Sequence, residues 1–428
     1  MNRVIQRLVP GILGALVVLA GTTQAQDILI RGAKVYTETE RGTLENADVL
    51  VRNGRIAEVG KGLASGAGVT VIEARGRPLT PGLFGGITAL GVEEVSLEPS
   101  TVDSSTVYEE ARGTAFEPRP EFDVTPAFNP DSVAIGVNRV EGITFAMVAP
   151  TALPDGTMFG GQGAVARLDG RTDAFAAASR TLFVDLGASA TASSGKSRAA
   201  QFMLLEQATR ETQPAKPLRD GDARLLTPTG REVLARYLAG GRMAFSVDRA
   251  ADIRQVLAYS ERNGVHPVII GGAQAWQVAA LLAKSHVPVV LDPFLDLPGS
   301  FDQLGASLEN AARLHRAGVP IAFTNFSMPT HAAHKVRHAA GLAVAHGLPW
   351  DAALAALTTT PAQVFGLGTE LGRIAPGYSA DLVLWSGDPL EVTTVAEQVW
   401  IEGRPQSMRS RQTELRDRYR PATTTPGP

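Results

Sequence analysis

The sequence predicts an α/β protein: a (β/α)8 TIM-type barrel carrying a small composite β-sandwich built from its N- and C-terminal segments. Two observations predict it. Eight short apolar runs alternate with helical stretches through the middle of the 428-residue chain. Purely β-patterned sequence stands on both sides of that region. Strand-then-helix repetition implies parallel βαβ units, and eight of them suggest a closed barrel.

The first flank, residues 26–78, is short β. Ile28-Leu29-Ile30 and Lys34-Val35-Tyr36 come first. Val49-Leu50-Val51 then precedes Asn53-Gly54, a strong two-residue hairpin signal, and Ile56–Val59 is the returning strand. Val69–Ile72 adds another. The barrel is expected over 79–371. Its eight runs are Gly82–Thr88, Gly142–Ala149, Gly163–Leu168, Thr181–Leu186, Met243–Val247, Pro267–Ile270, Val287–Leu291 and Val319–Phe323. Several are continuous Val/Ile/Leu/Ala runs, as strands buried on both faces require. Helical stretches are expected at 197–212, 228–239, 250–263, 273–285, 304–317 and 331–346. The irregular region 95–135 holds five prolines and is too long for a bare connection, so it should cover the barrel mouth. The second flank, 372–410, returns to β pattern at Gly372–Ile374, Ala380–Trp385 and Val395–Ile401. Residues 411–428 are charged, then Thr/Pro-rich, and read as a flexible tail.

Composition narrows the function. A formal charge of -3 with no basic, aromatic-interleaved run argues against a nucleic-acid partner. Cysteine is absent, which rules out disulfides, thiolate metal sites and a cysteine nucleophile. Residues 1–25 read as a signal peptide: Arg3 and Arg7, an apolar stretch from Leu8 to Ala20, then Thr23-Gln24-Ala25. That stretch is shorter than the ~20 residues a spanning helix needs. No cysteine follows it to carry a lipid. Cleavage is expected near Ala25-Gln26, giving a periplasmic protein with no membrane contact afterwards.

Three stretches carry a family resemblance. Pro81–Gly91, approached through Val71–Ala74, looks like the opening barrel strand of the amidohydrolase superfamily. Ala356–Ala362, ending in Phe365-Gly366-Leu367, is similar to the family's late helix. Leu371-Gly372-Arg373-Ile374-Ala375-Pro376-Gly377-Tyr378-Ser379-Ala380-Asp381-Leu382-Val383 resembles its return into the sandwich and is the most specific of the three. The resemblance is to the imidazolonepropionase-like, exported branch.

The resemblance implies a hydrolase of C–N bonds. In it a zinc-type ion lowers the pKa of bound water and polarises the substrate. It also implies where the ligands should stand. The two strand-one histidine positions fall on Ile87 and Ala89, and the strand-eight aspartate on Asn325. The strand-five and strand-six histidines fall near Ser246 and Gly271. No lysine ends strand four, where Phe183-Val184-Asp185 stands. An amide cannot serve as a proton shuttle near neutral pH, and three protein ligands are the usual minimum for zinc. No metal cofactor is therefore expected.

Other constellations each have a plain reading. His331, His334 and His338 share one helical face, read as a solvated face with Lys335 and Arg337 beside it rather than as a metal site. Glu93, Asp248 and Asp292 follow strands one, five and seven and stand on the ligand side. They are candidate acid–base residues, or a polar rim that satisfies loop amides. Ile87, Ala89, Gln162, Ser246, Gly271 and Asn325 are the candidate pocket residues.

Three functions compete. One is a non-catalytic relative whose barrel binds a small molecule, or pairs as homo-oligomer or heteromer with an active amidohydrolase. Another is an active hydrolase of cyclic amide or peptide-like C–N bonds, working without metal or with an unusual site. The third is a structural envelope module, for which a tightly filled barrel mouth would speak.

Overall fold

The computed structural model describes residues 27–105, 118–151, 157–188, 190–192, 194, 196–213, 224–326 and 328–420. The signal-like segment 1–25 lies outside them. Sixteen strands fall into two eight-stranded sheets.

The first sheet gathers both ends of the chain. It contains β1 (Ile28–Tyr36), β2 (Thr43–Arg52), β3 (Arg55–Gly60), β4 (Thr70–Glu73) and β5 (Pro78–Pro81), joined by β14 (Leu382–Trp385), β15 (Ala396–Ile401) and β16 (Arg404–Pro405). Hydrogen bonding runs β16-β15-β14-β5-β1-β2-β3, and β4 pairs β1 beside β5. The N- and C-terminal segments thus join in one hydrogen-bonded β unit around a common core, as expected. Asn53 and Gly54 both take positive φ (51° and 78°), so the predicted hairpin joins β2 to β3.

The second sheet is the barrel. Its strands are β6 (Leu83–Thr88), β7 (Ile143–Val148), β8 (Phe159–Arg167), β9 (Thr181–Asp185), β10 (Arg242–Val247), β11 (His266–Gly271), β12 (Val289–Leu291) and β13 (Ile321–Phe323), hydrogen-bonded in sequence order. All eight overlap the apolar runs read from the sequence. One runs the wrong way: β8 pairs antiparallel with both β7 and β9, whereas the other neighbours are parallel. Only ten residues link Val148 to Phe159, fewer than the dozen or more that a parallel crossover needs. Residues 118–125 lie beside β8, bonded through Gln162 N–H to Phe122 O and Val124 N–H to Gln162 O.

Alternation along the strands sorts side chains into two cores. Leu182, Val184, Met243, Phe245, Ile269, Val289 and Phe323 face outward. They meet helices α1 (Val133–Arg139), α2 (Arg198–Glu211), α3 (Pro228–Leu238), α4 (Ala250–Asn263), α5 (Ala279–Lys284), α6 (Asn310–Arg316) and α7 (Val336–Ala345). Phe183, Ala244, Val268, Ile270, Val290 and Ala322 face inward, joined by Phe365 and Leu371. Period two makes this division automatic once the strands are paired.

The closing seam lies between β6 and β13. Thr324 bridges it: its Oγ1 accepts from Ile87 N–H at 3.0 Å and donates to Ile87 O at 3.2 Å. Gly86, at φ 81°, permits the approach, because a Cβ there would stand 2.9 Å from Thr324 Cα.

Two expectations are corrected. Residues 411–419, read as flexible tail, form helix α10 (Arg411–Tyr419, following two short helices α8, Trp350–Ala355, and α9, Thr359–Val364), started by a Ser410–Thr413 capping box. The histidine face is solvated only in part: His331 is exposed, whereas His334 and His338 are half-buried. A 3-10 turn over Thr330–Lys335 breaks the helical phase before α7. His334 is half-buried and both its backbone N–H and its ring Nδ1 bond to Asn138 Oδ1. Burial pushes its imidazole down to about 4. Arg337 is fully buried, donating to the Pro389, Glu391 and Thr394 carbonyls.

Thr324→Val keeps the side-chain volume but strands two buried backbone groups of Ile87. It should lower the unfolding free energy by about 2 kcal/mol, read as a shifted urea midpoint with an unchanged slope.

Candidate functional site

A cleft of about 850 Å³ opens at the barrel mouth. It lies over the C-terminal ends of the parallel strands, where barrel sites are assembled. Its floor is apolar: Ile87, Phe183 and Ile270 are inward-facing residues that reach the cavity. Its wall is acidic: Glu93, Asp185, Asp248, Asp292, Asp296 and Asp302 all line it. Among the described residues lining it, none is Lys, Arg or His.

The candidate residues sort as follows. Ile87, Ala89, Ser246, Gly271 and Asn325 line the cleft, as do Glu93, Asp248 and Asp292. Gln162 does not. It pairs in register with Leu182, an outward-facing residue, and its side chain accepts from Tyr237 Oη–H at 3.0 Å and donates to Glu121 O. Parity is the reason: β8 turns Val165 to the interior and therefore sends Gln162 to the outer face.

The three carboxylates proposed as acid–base residues each hold local structure. Asp248 Oδ1 accepts from Ala273 N–H at 3.1 Å and its Oδ2 from Gln303 Nε2 at 3.0 Å. Asp292 accepts from Phe294 N–H at 3.0 Å, capping the short turn after β12. Glu93 accepts from the Thr330 hydroxyl at 3.1 Å. Gly271 makes room for this arrangement. A Cβ there would stand 2.7 Å from Asp248 Oδ1, so a larger residue would displace the carboxylate.

Three further carboxylates were not singled out from the sequence as candidates. Asp185 ends β9 beside its register partner Ser246. Burial lifts its carboxyl to about 6, against the pull of the Ser246 hydroxyl. Asp302 is anchored by an ion pair with Arg198 and by Ala188 N–H at 2.7 Å. Asp296 is 3% exposed; its Oδ1 accepts from Asn310 Nδ2 at 3.1 Å, while its buried Oδ2 has no hydrogen-bond partner. Burial pushes its carboxyl up to about 7, countered by the Asn310 amide and reinforced by the charges of Asp292 and Asp248. Burial likewise raises Asp248.

The side chains at the positions where a zinc enzyme of this shape would hold its ion do not suit one. Ile87, Ala89 and Gly271 offer no lone pair. Asn325 offers only a neutral amide oxygen, with its Nδ2 held by Ala332 O. Among the described residues, no three His, Asp or Glu side chains are grouped so that they could hold a metal ion.

Comparison with known proteins agrees on lineage. The model of the amidohydrolase family matches residues 206–406. An amidohydrolase from Thermotoga maritima superposes with a TM-score of 0.77 at 25% identity, over 89% of this chain and 100% of that one. A zinc-bound adenosine deaminase from Xanthomonas campestris shares the fold at a TM-score of 0.53 and 18% identity, over 89% of this chain and 92% of that one. In sequence, a dihydroorotase from Geobacter sulfurreducens is 47% identical over 58 residues, which is 14% of this chain and 13% of that enzyme. The chain's match thus spans a small fraction of its curated relatives.

The acidic wall has a pH signature. Asp296 holds its proton more tightly folded than unfolded. Its stabilising contribution is complete below about pH 4 and is lost as pH rises through about 7. Asp296→Asn imitates the protonated acid. It should therefore exceed the parent in stability by about 2 kcal/mol at pH 8, with the gap closing by pH 4 in denaturant melts.

Proposed function

This chain belongs to the amidohydrolase superfamily, a lineage of C–N bond hydrolases, and from that premise we propose that its barrel mouth binds a small molecule without a catalytic metal. One observation carries the reading: a cleft of about 850 Å³ stands open above side chains that cannot ligate a zinc-type ion. An open mouth lined with polar groups speaks for a ligand and against the structural envelope module, which predicts a filled one. The volume suits a metabolite-sized compound.

Hydrolysis without metal is the second reading, and Asp185 favours it. A carboxyl held at about 6 beside a serine hydroxyl is a group that can take or give a proton near neutrality. Against it stands the absence of an oxyanion-stabilising cation among the described lining residues.

We further propose that the protein works in the periplasm, alone or paired with an active amidohydrolase. The arginine, apolar and small-residue pattern of residues 1–25 supports export, and an intact mass beginning at Gln26 is the expected result.

A panel of cyclic amides, ureides and amines tests the main reading by two readouts. Some member should raise the melting temperature saturably, while turnover stays at the buffer rate with or without added zinc. Turnover that Asp185→Asn abolishes would establish the hydrolase instead.

A further inference from the structure

We propose that the cavity takes an organic cation: an ammonium or guanidinium group carried on an apolar stem. The inference rests on the small-molecule reading above and names the ligand class.

An acidic wall alone would not carry this, because most of its members already have partners. Asp302 is paired with Arg198. Asp248 is held by Ala273 N–H and Gln303. Asp292 caps the turn at Phe294. Asp296 differs. It lines the cavity and is 3% exposed, yet its Oδ2 is buried and has no hydrogen-bond partner among the described residues. A buried acceptor left unsatisfied costs ~1–3 kcal/mol. Such an atom at the edge of a binding cavity is explained when a ligand supplies the donor.

Electrostatics decides which donor. Asp248 and Asp292 both act on Asp296, and the lining contains no cation among the described residues. Arg198, whose guanidinium reaches the wall at Asp302, is also paired with Asp252. An ammonium or guanidinium brings donors only, with no acceptor to repel the carboxylates, and charge-assisted hydrogen bonds are the strong ones. An anion or a carbonyl would face like charge.

The apolar remainder of the cavity fixes the stem. Ile87, Phe183 and Ile270 form the floor, and Phe326 and Met328 are exposed at 43% and 36% on the rim. Hydrocarbon laid along these surfaces leaves water while its charged end meets the wall. A bare divalent ion fits poorly. Calcium takes six to eight oxygens at ~2.3–2.6 Å, and no three carboxylates are grouped to hold one among the described residues.

Isothermal titration with n-hexylammonium, 1-hexanol and calcium chloride alone tests the proposal. Hexylammonium should bind saturably and about tenfold more tightly than hexanol. Asp296→Asn, shown folded by its melt, should weaken hexylammonium about tenfold and leave hexanol unchanged. Asp185→Asn serves as a second folded variant with the same expected direction. Equal affinity for the amine and the alcohol, or unchanged amine affinity in both variants, would overturn the proposal. So would calcium binding that displaces the amine. If amines fail while a neutral member of the earlier panel stabilises the protein, the cation class falls and the small-molecule reading stands. If nothing binds, both fall.

Discussion

Alternation along a paired strand is the constraint from which this molecule follows. Each barrel strand sends every second side chain to the interior, so one short stretch of sequence determines both the helix-facing packing and the chemistry of the mouth. On β9, β10 and β11 the inward residues are Phe183, Ala244, Val268 and Ile270. Hydrocarbon at these positions stabilises the barrel, with each buried large side chain worth ~1.5–3 kcal/mol. The same residues cannot donate an electron pair.

Beyond Asp185 and Ser246 at the ends of β9 and β10, several of the mouth's carboxylates stand on the loops that follow the strands. Asp248, Asp292 and Asp296 belong to the turns after β10 and β12. The walls that the loops build bury them, and for Asp248 and Asp296 burial raises the carboxyl pKa. Backbone amides at Ala273 and Phe294 stabilise two of them. Asp296 has only the Asn310 amide. A fold that keeps such an uncompensated group has accepted lower stability at a site, as binding sites commonly do.

Much of the fold was legible in the sequence, because double burial writes long apolar runs and a tight hairpin writes Asn-Gly. All eight barrel strands and the Asn53-Gly54 turn were readable for that reason. The direction of β8 was not. An apolar alternation reads the same in either sense, and only the short link between Val148 and Phe159 hinted at a reversal. Gln162 was misplaced for a different reason: its parity on β8 sends it to the outer face, where it bonds to Tyr237. His334 was misjudged because a 3-10 turn, invisible to a helical-wheel argument, shifts its phase and presses it against Asn138. Asp296 was illegible for another reason: its burial is created by the tertiary path of the 292–310 segment, on which local sequence is silent.

The similarity to enzymes of known lineage makes the donor set at the strand ends the decisive feature, because fold alone does not fix activity. Diffraction at the zinc absorption edge, from crystals equilibrated with zinc, reads that feature directly. The account predicts no anomalous peak ligated by side chains at the ends of β6, β10, β11 and β13. An ordered zinc ion held there by three or more side chains would contradict it.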